Sequence, residues 1–274
     1  MRLSIRHRTT YRFDQPQTRL VQLARVTPIS SPGQTVLGWE VEVDRDANLR
    51  TACDGYGNTL TMLYVDGPVQ EISLQVSGEV LTQDLAGVVG DAPEPLPPEV
   101  FLRASELTHA DEAIRALADE IRDGGSTGID QLHALMRFLG TRVRYDTGDM
   151  DVTRTAAQSL ALGRGVCQDF AHVFIAAARE LDVPTRYVSG HLFQRDGRPD
   201  QAAAHAWAES WVDGIGWIGF DPANGICPDD AYVRVAVGLD YREAAPLSGA
   251  RLGGGAERLD VAVSIVQSGR QTQS

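Results

Sequence analysis

From residue 2 to residue 13, hydrophobic and polar side chains alternate. Leu3, Ile5, Thr9, Tyr11 and Phe13 fall on one side, and Arg2, Arg6, Arg8 and Arg12 on the other. Residues 35–44 repeat the pattern, with Leu37, Trp39, Val41 and Val43 set against Glu40, Glu42 and Asp44. A period of two with one charged face predicts half-buried strands of an antiparallel sheet, wet on one side. Residues 58–65 and 70–81 add two more strands, separated by the turn signal Asp66-Gly67-Pro68. Residues 1–85 therefore read as a β-sandwich-like domain. Glycines and prolines (Gly87, Gly90, Pro93, Pro95, Pro97, Pro98) then crowd residues 86–100, which read as a linker.

After the linker the period changes. Ala110, Ala113, Ile114, Leu117 and Ile121 recur at helical spacing, opened by Glu106 or Thr108 and stopped by Gly124-Gly125. Leu132, Leu135, Met136 and Leu139 mark a second helix from Ile129 to about Arg142, with His133 on its solvent side. A short helix at 154–162 leads into Gly163-Arg164-Gly165. Phe170, Phe174, Ala177 and Leu181 then line one face of a helix that ends before Pro184. Strands follow at 185–193, 203–212 and 216–221, with edge structure at 230–240. One helix against an antiparallel sheet makes residues 101–240 an α+β domain. In the return segment 241–274, strand 258–266 alternates Leu259, Val261, Val263 and Ile265 with Arg258, Asp260, Ala262 and Ser264. A strand so far from the others is expected to rejoin the N-terminal antiparallel β-domain. The tail from Gln267 to Ser274 reads as disordered.

Composition narrows the function. The chain has 274 residues, 43% hydrophobic and 23% charged, enough apolar material to fill a core. A formal net charge of −12 and a pI near 4.9 argue against nucleic acid or an anionic membrane as the main partner. All 25 basic residues are arginine. Without lysine there is no Schiff-base chemistry and no phosphate-loop lysine. The amino terminus has no apolar run behind its basic residues, so no signal peptide is expected. No apolar segment approaches the roughly 20 residues that span a bilayer. Cys53, Cys167 and Cys227 are widely spaced and show no pairing pattern. These features predict a cytoplasmic protein with free thiols.

The chemistry centres on Cys167, at the start of the helix behind the glycine turn. First-turn amides and the helix dipole favour an anion at such a place. A thiol there, beside a cation, gives up its proton more readily. The stretch from Ala204 to Val212 alternates and is rich in aromatics, and Asp213-Gly214 signals a hairpin to the next strand. A turn near Gly214 puts His205 opposite a residue near 223, with Asp221 as its diagonal neighbour. Thiol nucleophile, imidazole base and orienting carboxylate then occur in the required order. Around them, Gln168 and Asp169 read as structural or substrate contacts, Cys227 as structural, and His191 and Trp207 as packing or cleft-wall residues. Cysteine, histidine and aspartate can also bind zinc, but no Cys-x-x-Cys or His-Glu-x-x-His occurs. The absence of Gly-x-Ser-x-Gly argues against a serine hydrolase.

Four ordered motifs carry a resemblance: Gly-Val-Cys-Gln-Asp-Phe-Ala at 165–171, Thr-Arg-Tyr-Val-Ser-Gly-His at 185–191, His-Ala-Trp at 205–207, and Gly-Trp-Ile-Gly-Phe-Asp-Pro at 216–222. Together they resemble the bacterial transglutaminase-like cysteine protease family. Residues 5–11 resemble that family's N-terminal β region. The resemblance implies a papain-like core with Cys167, His205 and Asp221 as a triad, working without cofactor or metal on a peptide or protein substrate. The expected activity is that of a cysteine protease or amidase acting on peptide or glutamine-type amides through a thioester. Transglutaminase-type amine transfer, or a non-catalytic peptide-binding module on the same fold, are the alternatives. The Cys167 backbone N–H is one expected oxyanion donor, and Tyr145 is a candidate for the second.

Overall fold

The structure is a computed structural model describing residues 1–90, 95–148, 150–196, 199–201 and 203–268, without the side chains of residues 200 and 201. In chain order it runs through β1 (Arg2–Thr27), β2 (Gln34–Val43), β3 (Asn48–Cys53), β4 (Thr59–Thr82), α1 (Glu112–Asp123) and α2 (Ile129–Arg142). Then come β5 (Arg144–Tyr145), α3 (Ala156–Leu162), β6 (Arg164–Gly165), α4 (Cys167–Glu180), β7 (Thr185–Leu192) and β8 (Asp200–Gln201). The last elements are β9 (His205–Val212), β10 (Gly216–Phe220), β11 (Tyr232–Gly238), α5 (Tyr241–Ala244), β12 (Leu247–Leu252) and β13 (Glu257–Gln267).

Among the described residues, seven strands form one antiparallel sheet in the order β2-β4-β1-β13-β8, with β3 added to β4 and β12 to β1. Two strands outrun their sequence signals. β1 continues through the polar residues 14–19, and β4 runs straight through Asp66-Gly67-Pro68. The pairing of β1 with β4 shifts between Arg12 and Gln17 and again between Gln17 and Arg19. Such irregularities bend a sheet without ending it. A Cβ on Gly67 would lie 2.0 Å from the Gln17 carbonyl oxygen, so only glycine lets the two backbones pass at the bend. Tyr11, Phe13 and Ile72 on one side of the bend pack with Leu20, Leu63 and Val65 on the other. The region is thus one bent sheet rather than the expected sandwich of separate strands. β13 lies along β1 as expected, Leu3 facing Gln267 and Phe13 facing Glu257. The predicted disordered tail lies, from residue 269 onward, outside the described residues, as do residues 91–94 of the predicted linker.

A second antiparallel sheet has the order β10-β9-β7-β11. Helix α4 lies on it, with α1, α2 and α3 packed against the helix. Phe174, Ala177 and Ala178 of α4 join Leu132, Leu135 and Leu139 of α2 and Ala206, Ala208 and Phe220 of the sheet in one core. The helix is therefore buried along nearly its whole length, not on one face as its sequence spacing predicted. His133, expected in solvent, is half-buried with its ring edge-on to Phe220 at 5.3 Å. Helix α1 is capped by Asp111, whose side chain accepts from the Ile114 N–H at 2.9 Å. The earlier openers are engaged elsewhere: Thr108 bonds Ser105 in a turn ahead of the helix. No helix among the described residues is long and apolar enough to cross a membrane.

Both edges of this four-stranded sheet are covered by the rest of the chain. On β11, the Gln34 carboxamide donates to the Arg234 carbonyl at 2.8 Å and accepts from the Arg234 N–H at 2.9 Å. Asn58 does the same with Val237, at 2.7 and 2.8 Å. A carboxamide offers the same donor and acceptor as a peptide unit, so two side chains stand in for a fifth strand. On β10, Gly87 accepts from the Gly219 N–H at 2.8 Å, and the Val89 N–H donates to the Trp217 carbonyl at 3.0 Å. This part of the predicted linker is a pairing segment.

Replacing Asn58 with Leu would leave the buried Val237 N–H and C=O unpaired, at about 1–3 kcal/mol for each group. Urea unfolding is expected to show that loss. A change within about 0.5 kcal/mol, the range of an unconnected surface substitution, would contradict the role given to Asn58.

Three buried histidines contribute to the acid sensitivity expected of the fold. His7 lies 3.2 Å from the Thr9 hydroxyl, and His191 meets it edge-on with ring centroids 5.6 Å apart. His172 accepts from the Tyr241 N–H at 3.1 Å. Burial lowers His7 and His172 from 6.5 to about 4, and burial with the nearby His7 lowers His191 to about 3. The unfolded chain takes up these protons near pH 6.5 and the folded chain does not. This contribution is complete above pH 6.5 and declines as pH falls toward 4, by about 1.4 kcal/mol per pH unit for each ring. The thermal midpoint is expected to drop steeply below pH 6, and His191→Leu to flatten the drop. An equal slope in wild type and variant would refute this assignment.

Candidate active site

The site begins with the turn before α4. β6 pairs in parallel with β5, placing Tyr145 beside Gly165. Asp169, 1% exposed, reaches back to this turn. Its Oδ2 accepts from the Val166 N–H at 2.8 Å, its Oδ1 from the Ser159 hydroxyl at 2.7 Å, and Arg154 Nη1 lies 3.4 Å away. A Cβ on Gly165 would lie 2.4 Å from that carboxylate, so the second glycine of the motif is required by the approach of Asp169. Asp169 is therefore structural, its charge met by Arg154 and two neutral donors. Gln168 donates to the Val152 carbonyl at 3.2 Å and ties the preceding loop to the helix. Cys167 emerges half-buried in the first turn of α4.

His205 opens β9, and Asp221 directly follows β10. The hairpin has the expected register, with Gly216 opposite Val212 and Phe220 opposite Ala208. His205 Nε2 and Asp221 Oδ2 are 2.6 Å apart. Cys167 lies close enough to act on the same ring, its interaction favouring the charged form. The three predicted residues thus meet in one place.

Asp221 has no exposed surface. Its Oδ2 also accepts from the Tyr232 hydroxyl and from Asn224 Nδ2, each at 2.7 Å. Its Oδ1 accepts from the N–H groups of Ala223 at 3.0 Å and Asn224 at 3.2 Å. Burial works against the carboxylate, but hydrogen bonding and charge from His205, with the bonds from Asn224 and Tyr232, hold it below its ordinary range. Burial likewise works against a charged His205. The hydrogen bond with Asp221, the interaction with Cys167 and the charges of both outweigh it and push the ring up to about 10. At neutral pH the ring is therefore an imidazolium, able to protonate a leaving group on one side while Asp221 balances its charge on the other.

Tyr232 and Asn224 were absent from the sequence reading. Asn224 had a local signal: it sits in Asp-Pro-Ala-Asn-Gly, where an aspartate commonly accepts from amides two and three residues on. Tyr232 had none, because it arrives from β11. His191 packs on His7 and Trp39. Cys227 borders the α4 core, where burial raises its thiol. Trp207 is buried and stacks on His205, ring centroids 6.2 Å apart. Tyr145 is half-exposed on the cysteine side. Burial, then the charges of Cys167 and Asp221, raise its hydroxyl. Among the described residues no group of three or more His, Cys, Asp or Glu side chains is arranged to hold a metal ion.

Residues 115–222 match the family described as Transglutaminase-like superfamily, and residues 3–81 match the Bacterial transglutaminase-like N-terminal region. The uncharacterized protein ML0607 of Mycobacterium leprae is 30% identical over 284 residues, spanning 97% of this chain and 99% of that protein. A protein-glutamine gamma-glutamyltransferase of Pseudomonas aeruginosa is 26% identical over 170 residues, 53% of this chain and 24% of that protein. The crystal structure of a candidate cysteine protease from Cytophaga hutchinsonii aligns with a TM-score of 0.77 at 22% identity, over 98% of this chain and 92% of that one. The chain belongs to the transglutaminase-like superfamily, whose members are cysteine-dependent, and carries the N-terminal region of the bacterial group.

Proposed function

We propose that the protein is a cysteine-dependent acyl-transfer enzyme, a protease or amidase that opens peptide or glutamine-type amides through a thioester. The 2.6 Å bond between Asp221 and His205, with Cys167 acting on the same ring, carries this reading. Cys167 is the nucleophile, His205 the acid and base, and Asp221 the group that orients the ring. The thiolate attacks the amide carbonyl and the C=O electrons move onto oxygen. The Cys167 N–H, in the first turn of α4 where amides lack helical partners, receives that oxyanion, and Tyr145 is the candidate second donor. His205 gives its proton to the nitrogen as the C–N bond breaks, which leaves a thioester and a free amine. The neutral ring then takes a proton from water, whose oxygen attacks the thioester and releases the acid and the thiolate. The three free cysteines support the expected cytoplasmic location.

Amine transfer is the second reading, favoured by the likeness to the gamma-glutamyltransferase. A glutamine peptide supplied with a fluorescent amine separates the two. Hydrolysis yields glutamate and ammonia without incorporated amine, and this is the expected result. One amine incorporated per ammonia released would replace hydrolysis with transfer. Activity is expected to withstand chelators and to be lost with iodoacetamide or in Cys167→Ala.

The pH profile offers a separate check. Because the His205 pKa is raised, the imidazolium persists through neutral pH, and the rate is expected to decline only as pH rises through about 10. Asp221→Asn removes the charge that supports it, so the basic limb should move toward the ordinary value of 6.5. An unmoved basic limb would exclude His205 as the titrating group.

A further inference from the structure

Asp221 is held by more than the ring it faces. Tyr232 and Asn224 donate to Oδ2, the same oxygen that meets His205, each at 2.7 Å. Tyr232 reaches it from β11, a strand paired with β7 and not with β9 or β10. Its ring is fixed edge-on to Trp207, with centroids 5.4 Å apart and planes at 83°, and lies 5.9 Å from the His205 ring. Burial, then the charge of Asp221 and the bond to it, keep the phenol protonated and therefore a donor at any working pH. Asn224 comes from the exposed turn after Asp221, and its Nδ2 lies 3.5 Å from His205 Nε2.

A carboxylate turns easily about its last side-chain bond, because that torsion has a broad minimum. Here the two backbone amides hold Oδ1 and the phenol and carboxamide hold Oδ2. The plane of the group is thus set by four donors besides the imidazole. We propose that Tyr232 and Asn224 are positioning residues: they fix the Asp221 carboxylate in the orientation that aims Oδ2 at His205 Nε2, and through the ring they aim Nδ1 at the Cys167 sulfur. The proposal rests on the acyl-transfer reading of those three residues, and its test includes a readout that needs no substrate.

Tyr232→Phe keeps the ring and deletes the hydroxyl. Asn224→Ala trims an exposed side chain and leaves the core intact. For each, the protonation of the His205 ring is followed by NMR against pH, kcat and KM are measured on an amide substrate, and the thermal midpoint is recorded. The ring is expected to lose its proton at least about one pH unit earlier than in wild type, because Asp221 no longer stays aligned with it. The kcat should fall about 10–100-fold, the usual effect of losing a partner that orients a functional ligand, with KM little changed. A lowered thermal midpoint with unchanged ring titration and kcat would overturn the proposal, leaving the two residues as fold stabilisers. An upward shift of the ring titration would also overturn it, since it would mean that the donors merely drain charge from Asp221. If wild type turns over no amide, the acyl-transfer reading fails, while the ring titration still decides whether the two donors position Asp221.

Discussion

A carboxylate with no exposed surface is the constraint around which this molecule is arranged. Taking such a group out of water costs several kcal/mol, and only close donors and an opposite charge offset it. Asp221 has all of these: His205 at 2.6 Å, a phenol and a carboxamide on the same oxygen, and two backbone amides on the other. They come from three different pieces of local structure. The amides need the turn after β10, the imidazole needs the β9–β10 register, and the phenol needs β11. Shifting any of these by one residue would leave a buried charge short of partners. The same bonds that make the burial tolerable also favour the protonated imidazole, so the carboxylate's burial and the charge of the ring draw on one set of contacts.

That arrangement extends into the N-terminal region. β11 supplies Tyr232, and β11 is an edge strand whose outward peptide groups are met by Gln34 and Asn58. A continuous path of hydrogen bonds and covalent structure therefore runs from the bent sheet through β11 to Asp221 and His205. On the far edge, residues 87–89 cover β10, the strand that leads to Asp221. The N-terminal region and the segment that follows it thus close both edges of the sheet that bears the candidate site.

Much of this was legible in the chain. Alternation exposed the strands at 2–13 and 35–44, and helical spacing exposed α2 to within a residue. Asp213-Gly214 fixed a hairpin whose register brings Asp221 to His205, because a tight turn leaves little freedom of pairing. Cys167, His205 and Asp221 stood out because their types and order suit one reaction, and because four motifs resembled a known family. What stayed hidden depends on partners distant in sequence. Residues 14–19 are polar and non-periodic, yet they remain in β1 because β4 runs beside them. Asp66-Gly67-Pro68 has turn chemistry but bends a strand that pairing on both sides holds together. Asp111 caps α1 because Thr108 is already bonded to Ser105. Nothing local marks Asn58 as a substitute peptide unit or Tyr232 as a donor to Asp221.

The account depends on a thiol made nucleophilic by the imidazole that Asp221 aligns. Mass spectrometry of the native protein after brief exposure to amide-bearing peptides, quenched in acid, tests this most directly. An acyl mass on the peptide containing Cys167, removed by hydroxylamine and absent from Cys53 and Cys227, is the predicted result. A protein that carries no acyl group on Cys167, and whose Cys167 reacts with iodoacetamide no faster than a free model thiol, would contradict the account.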